Sequence, residues 1–156
     1  PGLMSTHGVK LTAMHQMKLS DAPFGQAVVN VMPRGLSSDS VLLSWLAVRN
    51  KGMTKVTAEY AFPIFIGDLA IGGNFFSIKR LVVNPHFDYL IAEGGGLFSA
   101  GAELILDMHS ILTLEWPCSF GLTYSYNGGN GFETFAQQSG LSVKRHYIGP
   151  TFNVSF

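Results

Sequence analysis

Cys118-Ser119-Phe120-Gly121-Leu122-Thr123-Tyr124-Ser125-Tyr126-Asn127 sorts by parity into two sets. Cys118, Phe120, Leu122, Tyr124 and Tyr126 fall on one side; Ser119, Gly121, Thr123, Ser125 and Asn127 fall on the other. Side chains of a strand alternate with period two, so the stretch predicts a strand with an aromatic and aliphatic face and a small polar face. Five further segments divide in the same way. From 145 to 156, His146, Ile148, Pro150, Phe152, Val154 and Phe156 oppose Arg145, Tyr147, Gly149, Thr151, Asn153 and Ser155. Segments 98–109, 78–92 and 55–64 repeat the pattern, and Val9, Leu11 and Ala13 oppose Lys10, Thr12 and Met14.

Composition says which environment suits such strands. Hydrophobic residues make up 47% of the 156 and charged residues only 13%, with mean hydropathy +0.25. That is about half the charge of an ordinary soluble domain. No run reaches the roughly 18 apolar residues of a membrane-crossing helix. A membrane β-barrel reconciles the two facts, because it turns every second residue to lipid. The expected fold is therefore all-β: an antiparallel transmembrane β-barrel, or the carboxy-terminal strands of a larger one, with residues 1–156 forming one outer-membrane barrel domain.

The same parity predicts what fills the interior. Glu59, Arg80, Asp88, Glu103, Asp107, His109 and Arg145 all fall on inward positions, where charge persists only if it is paired or hydrated. They are expected to form a polar network in the lumen, with a solute path or a plug site as the sharper alternative. The interfacial level is assigned to aromatics near strand ends, Trp45, Trp116, Phe75, Phe76, Tyr89, Tyr124 and Tyr126.

Other segments read less cleanly. Val41–Val48 (VLLSWLAV) carries apolar residues on both parities and is expected to be a seventh strand covered on both sides. The run within 26–32 is expected as an eighth strand or an ordered connection, and 127–140 (NGGNGFETFAQQSG) as a long loop. Glu93-Gly94-Gly95-Gly96 and Leu114-Glu115-Trp116-Pro117 read as tight connections. With the carboxy-terminus periplasmic, the long loop faces outward. Seven strands is an odd count, so the wall is expected to be completed either by 26–32 or, as the reading favours, by sequence upstream of Pro1. No charged-then-apolar leader follows Pro1, so the expectation is either a leader already cleaved or, as the reading favours, the carboxy-terminal piece of a longer polypeptide.

Several activities find no support in these residues. Equal numbers of basic and acidic residues, 10 of each, provide no electrostatic footprint for nucleic acid. The single cysteine, Cys118, forms no intrachain disulfide and belongs to no zinc pattern. His7, His15, His86, His109 and His146 have no G-x-S-x-G partner motif, so no catalytic residue, metal or cofactor is assigned. The chain is expected not to be an enzyme.

Three stretches together carry a family resemblance: Thr57-Ala58-Glu59-Tyr60-Ala61-Phe62-Pro63 followed by Gly67-Asp68-Leu69; Ile78-Lys79-Arg80-Leu81 with Phe87-Asp88-Tyr89; and Ser99-Ala100-Gly101-Ala102-Glu103-Leu104. They resemble the carboxy-terminal barrel of large Bacteroidota outer-membrane proteins often preceded by a Tol-type β-propeller. Thr6-His7-Gly8-Val9-Lys10-Leu11 is similar in kind. Gly149, Phe152, Val154 and Phe156 resemble the terminal signal by which outer-membrane barrels are recognised for assembly. The resemblance implies an integral protein of the Gram-negative outer membrane and no defined activity; the leading expectation is a membrane-embedded scaffold or a translocation or transport component of the cell envelope. Its implied partners are outer-membrane lipids and lipopolysaccharide, the barrel-assembly machinery and other envelope proteins. A soluble ligand-binding barrel, with an apolar interior and polar exterior, and an outer-membrane lipid-modifying enzyme are the alternatives.

Overall fold

The computed structural model describes residues 7–19, 28–72, 76–111, 118–141 and 144–154. Six strands form one antiparallel sheet in chain order: β1 (Gly8–Met17), β2 (Gly52–Ile71), β3 (Phe76–Ala92), β4 (Gly95–Ile111), β5 (Cys118–Gly128) and β6 (His146–Val154). The fold is all-β, and the sheet is unclosed: among the described residues no ladder joins β6 to β1. The six correspond to the six segments that divide cleanly by parity. β2 runs beyond the expected 64 to Ile71, with register shifts between Pro63 and Phe65 and between Ile66 and Leu69.

The connections expected to be strand or loop are helical. Val41–Val48 lies in α2 (Ser40–Arg49), preceded by α1 (Val28–Val31) and a 3-10 turn at Arg34–Leu36. Asp39 caps α2, its Oδ1 accepting from Leu42 N at 3.0 Å. The doubled parity of VLLSWLAV reflects helical burial, with Leu42, Leu46 and Ala47 on the buried side. The run in 26–32 therefore supplies no eighth strand where it is described; Val28–Val31 is a helical turn. Within 127–140, Asn130–Ser139 forms α3, ended by Gly140 at φ +70°, a left-handed position that glycine adopts without steric cost.

All these helices lie at one end of the sheet, because the β1–β2, β3–β4 and β5–β6 connections share that end. The connections at the opposite end, 73–75 and 112–117 including Leu114–Pro117, lie outside the described residues. Met32, Leu36, Leu42 and Leu46 from the first helical segment and Phe132 and Phe135 from α3 pack on Met53, Leu90 and Leu97 of the sheet. Trp45 belongs here too. Its ring meets Phe135 edge-on at 5.5 Å, so it serves the core and not the interfacial belt expected of it. Asn50 closes α2 and ties it to the β3–β4 turn, donating to Leu46 O (2.9 Å) and accepting from Glu93 N (2.6 Å).

The two faces of the sheet differ as the alternation requires. The helix-free face exposes Leu11 at 75%, Ile148 at 67% and Phe152 at 61%, together with Leu104, Phe120, Leu122 and Tyr124. The covered face carries apolar Met53, Leu90 and Leu97 under the helices and, beyond them, mostly small, polar and charged side chains. One row across it reads Lys10, Glu59, His86, Gly101, Ser125 and Tyr147; the next reads Thr12, Thr57, Asp88, Ser99 and Asn127.

Candidate functional site

The covered face is occupied by the turn that joins α1 to α2. Pro33, which lacks an N–H, stops the helical run, and Leu36 N and Asp39 N then donate to Pro33 O (3.0 Å) and Leu36 O (3.1 Å). This tight turn carries Arg34 and Gly35 to the two polar rows. Arg34 forms ion pairs with Glu59 of β2, through Nη2 and Oε1, and with Asp88 of β3, Nε to Oδ2 at 3.8 Å. Its backbone N–H donates to the same Asp88 Oδ2 at 2.9 Å. Gly35 N–H donates to Ser99 Oγ of β4 at 3.3 Å, and Asn127 Nδ2 of β5 donates to Gly35 O at 3.1 Å. Four strands thus hold two consecutive residues of one turn.

The packing at Gly35 leaves no room for a side chain. A methyl group there would overlap the Asn127 amide and lie 2.9 Å from Ser125 Cβ. Asp88 is fully buried, and its second oxygen, Oδ1, has no hydrogen-bond partner among the described residues. Around the arginine, Lys10 Nζ lies 3.5 Å from Glu59 Oε2, and Lys55 Nζ donates to Met32 O at 2.9 Å. A buried carboxylate is costly unless paired, and Arg34 is the cation that meets both Asp88 and Glu59, with Lys10 and Lys55 beside them.

Glu59 and Asp88, placed inward by parity, are brought together by Arg34. Arg80 and Asp107 meet each other instead, Nε to Oδ2 at 2.7 Å, toward the opposite end; Ser119 Oγ donates to Asp107 Oδ1 at 2.7 Å. Glu103 lies between the two groups on the same face and forms no ion pair among the described residues. Arg145 does not point inward. It precedes the first residue of β6, where strand alternation does not yet apply, and its Nη1 reaches Tyr126 Oη at 3.5 Å. His109 lies in β4, and its side chain is outside the described residues. Of the residues resembling an assembly signal, Gly149, Phe152 and Val154 lie in β6; Phe156 is outside the described residues.

Arg34 and Gly35 are the residues of this cluster that parity alone misses; Asn127 falls on the small polar face that parity defines, without a partner assigned to it. On the inward parity the four carboxylates Glu59, Asp88, Glu103 and Asp107 are matched by the strand cations Lys10, Lys55 and Arg80, so a charge count does not single out Arg34. Pro33-Arg34-Gly35 lies in a turn, where no alternation places its side chains. His86 Nε2 and Ser125 Oγ also meet, at 3.1 Å, although no motif links them in sequence. Both are buried, and Gly35 lies directly over Ser125, so a substrate has no route to the pair in this conformation. Among the described residues no group of three or more His, Cys, Asp or Glu is arranged to hold a metal ion. No helix among them is long and apolar enough to cross a membrane, which says nothing of crossing by strands. No protein-family model, curated protein or solved structure matches the chain.

Proposed function

We propose that this chain forms wall and plug of an outer-membrane β-barrel that works as a membrane-embedded scaffold or translocation component of the Gram-negative envelope. The observation that carries the reading is the inversion of the two faces. Leu11, Phe120, Leu122, Ile148 and Phe152 are exposed on one side, while Glu59, Asp88 and Asp107 are sheltered on the other. In water the first face would be a contiguous apolar patch of the kind that drives association; in lipid it is the matching surface. Tyr60, Tyr89, Tyr124, Tyr126 and His146 lie on that face toward its helix-bearing end, where an interfacial belt would place polar-tipped rings. Lipids and lipopolysaccharide are then the partners of the apolar face, and the β6 terminus is the part read by the assembly machinery.

A barrel in lipid has no free edge, so this reading requires further strands between β6 and β1. The soluble ligand-binding alternative needs a polar exterior, which the exposures just given oppose. The deciding measurement is detergent dependence. We expect the chain to be monodisperse in detergent micelles and to aggregate when detergent is removed; a monodisperse monomer in plain buffer would overturn the reading.

A further inference from the structure

The inner wall treats Arg34-Gly35 as a ligand. It contacts the guanidinium through Glu59 and Asp88, both peptide N–H groups through Asp88 and Ser99, and the Gly35 carbonyl through Asn127. It also excludes any residue larger than glycine at the second position. These are the elements of dipeptide recognition: a charge-matched pocket for one side chain, hydrogen bonds to the backbone, and a steric filter for the next residue.

Two observations show that the fit is incomplete and approachable. Asp88 Oδ1 is buried and unpartnered, so the carboxylate can still accept a second N–H from a guanidinium set bidentately against it. Space also flanks the dipeptide on both sides. A cavity of about 140 Å³ borders Arg34, Glu59 and Lys55, and one of about 310 Å³ borders Gly35, Lys144 and Tyr147. The Arg34 side chain keeps 32% of its surface exposed through the first of them. Met32 and Leu36, each only 1% exposed, pin the turn on either side, so an incoming segment has to displace only Pro33, Arg34 and Gly35 from the wall, together with the Leu36 N to Pro33 O bond.

We propose that the wall formed by Glu59, Asp88, Ser99 and Asn127 is a binding site for an Arg-Gly segment of a second polypeptide, with Arg34-Gly35 its occupant in cis. The site selects arginine over lysine because two carboxylates on adjacent strands match a planar fork better than a point charge. It selects glycine after the arginine because Asn127 and Ser125 fill the place of a Cβ. The cis turn then acts as a competitor that an incoming segment must displace. The inference stands on the geometry of the turn and not on the membrane setting, and its readout is peptide binding in any medium that keeps the full chain dispersed.

The test uses acetyl-Pro-Arg-Gly-Leu-amide, with the Pro-Lys-Gly-Leu and Pro-Arg-Ala-Leu peptides as controls, titrated calorimetrically against the full chain. Arg34→Ala should bind the Arg-Gly peptide at least tenfold more tightly than the wild type, and each control at least tenfold more weakly than the Arg-Gly peptide. Adding Asp88→Asn to Arg34→Ala should remove the binding. Absence of saturable binding to an Arg34→Ala protein with wild-type circular dichroism overturns the proposal, as does equal affinity for the three peptides. If Arg34→Ala does not fold, hydrogen exchange of the wild type decides. Excess Arg-Gly peptide should accelerate exchange at the Arg34 and Gly35 amides, which lose Asp88 and Ser99; unchanged rates overturn the proposal.

Discussion

The two ends of the sheet place the same kind of charge in different surroundings. At the helix-bearing end Asp88 is fully buried and Glu59 nearly so, and both face an arginine brought in by a separate turn. At the opposite end Arg80 and Asp107 come from adjacent strands, and Arg80 keeps 55% of its side-chain surface exposed. Alternation along a strand sets which residues turn inward. What covers that face sets the energetic weight of each charge, because a pair sealed from water depends on its partner far more than one that water can solvate. The charged cluster under the turn between α1 and α2 therefore weighs on the fold, and the Arg80–Asp107 pair is closer to a local contact.

The sharpest way to break this contrast is to remove the arginine at the covered end. Arg34→Ala takes the guanidinium from Asp88 and Glu59 and leaves the buried Asp88 with the residue-34 amide and Lys55, and breaking a buried pair costs about 3–5 kcal/mol. Denaturant unfolding in the medium that keeps the wild type monodisperse should show that loss. Combining Arg34→Ala with Asp88→Asn should recover part of it, since the orphaned charge is removed as well. A loss below about 1 kcal/mol for Arg34→Ala would mean that water reaches Asp88, and the two ends would not differ.

How far the sequence foretold this arrangement depends on the range of the signal. The strands were legible because alternation is a local property, and Phe120 against Gly121 or Leu104 against Glu103 states it within two residues. The helices were less so. VLLSWLAV looked like a strand buried on both faces, when Asp39 before it and the Leu42/Leu46 spacing within it were helix signals. FETFAQQS was hidden by the Gly/Asn residues before it, although Gly140 marks a helix end and Phe132 and Phe135 are three apart. Parity placed Glu59 and Asp88 on the inner face, yet it could not pair them with Arg34, because that contact spans 25 and 54 positions of chain and comes from a turn without alternation. Arg145 failed for the opposite reason: the rule was carried one residue beyond the ladder.

Gly35 tests whether the covered end is held by shape as well as by charge. In Gly35→Ala the added methyl meets the Asn127 amide and Ser125, both fully buried, so the wall cannot yield without moving β5. Overpacking of this kind costs about 1–3 kcal/mol. Because the methyl displaces the turn from Ser99, the Gly35 amide should also exchange faster than in the wild type. A protein with Gly35→Ala that unfolds at the wild-type denaturant midpoint would show that the turn sits on the wall without being fitted to it.

Arg80→Ala should produce the smallest effect, and its smallness is the informative part. The Arg80 head group bonds Asp107 Oδ2 at 2.7 Å, a distance that would rank it beside the Arg34 contacts if geometry alone set the energy. Exposure argues otherwise. With more than half of Arg80 in solvent, the wild-type pair gains little over two hydrated ions, and after substitution Asp107 keeps Ser119 Oγ at 2.7 Å. The expected loss is about 0–1 kcal/mol, diminishing further as salt is raised. A loss comparable to that of Arg34→Ala would place the opposite end under cover as well.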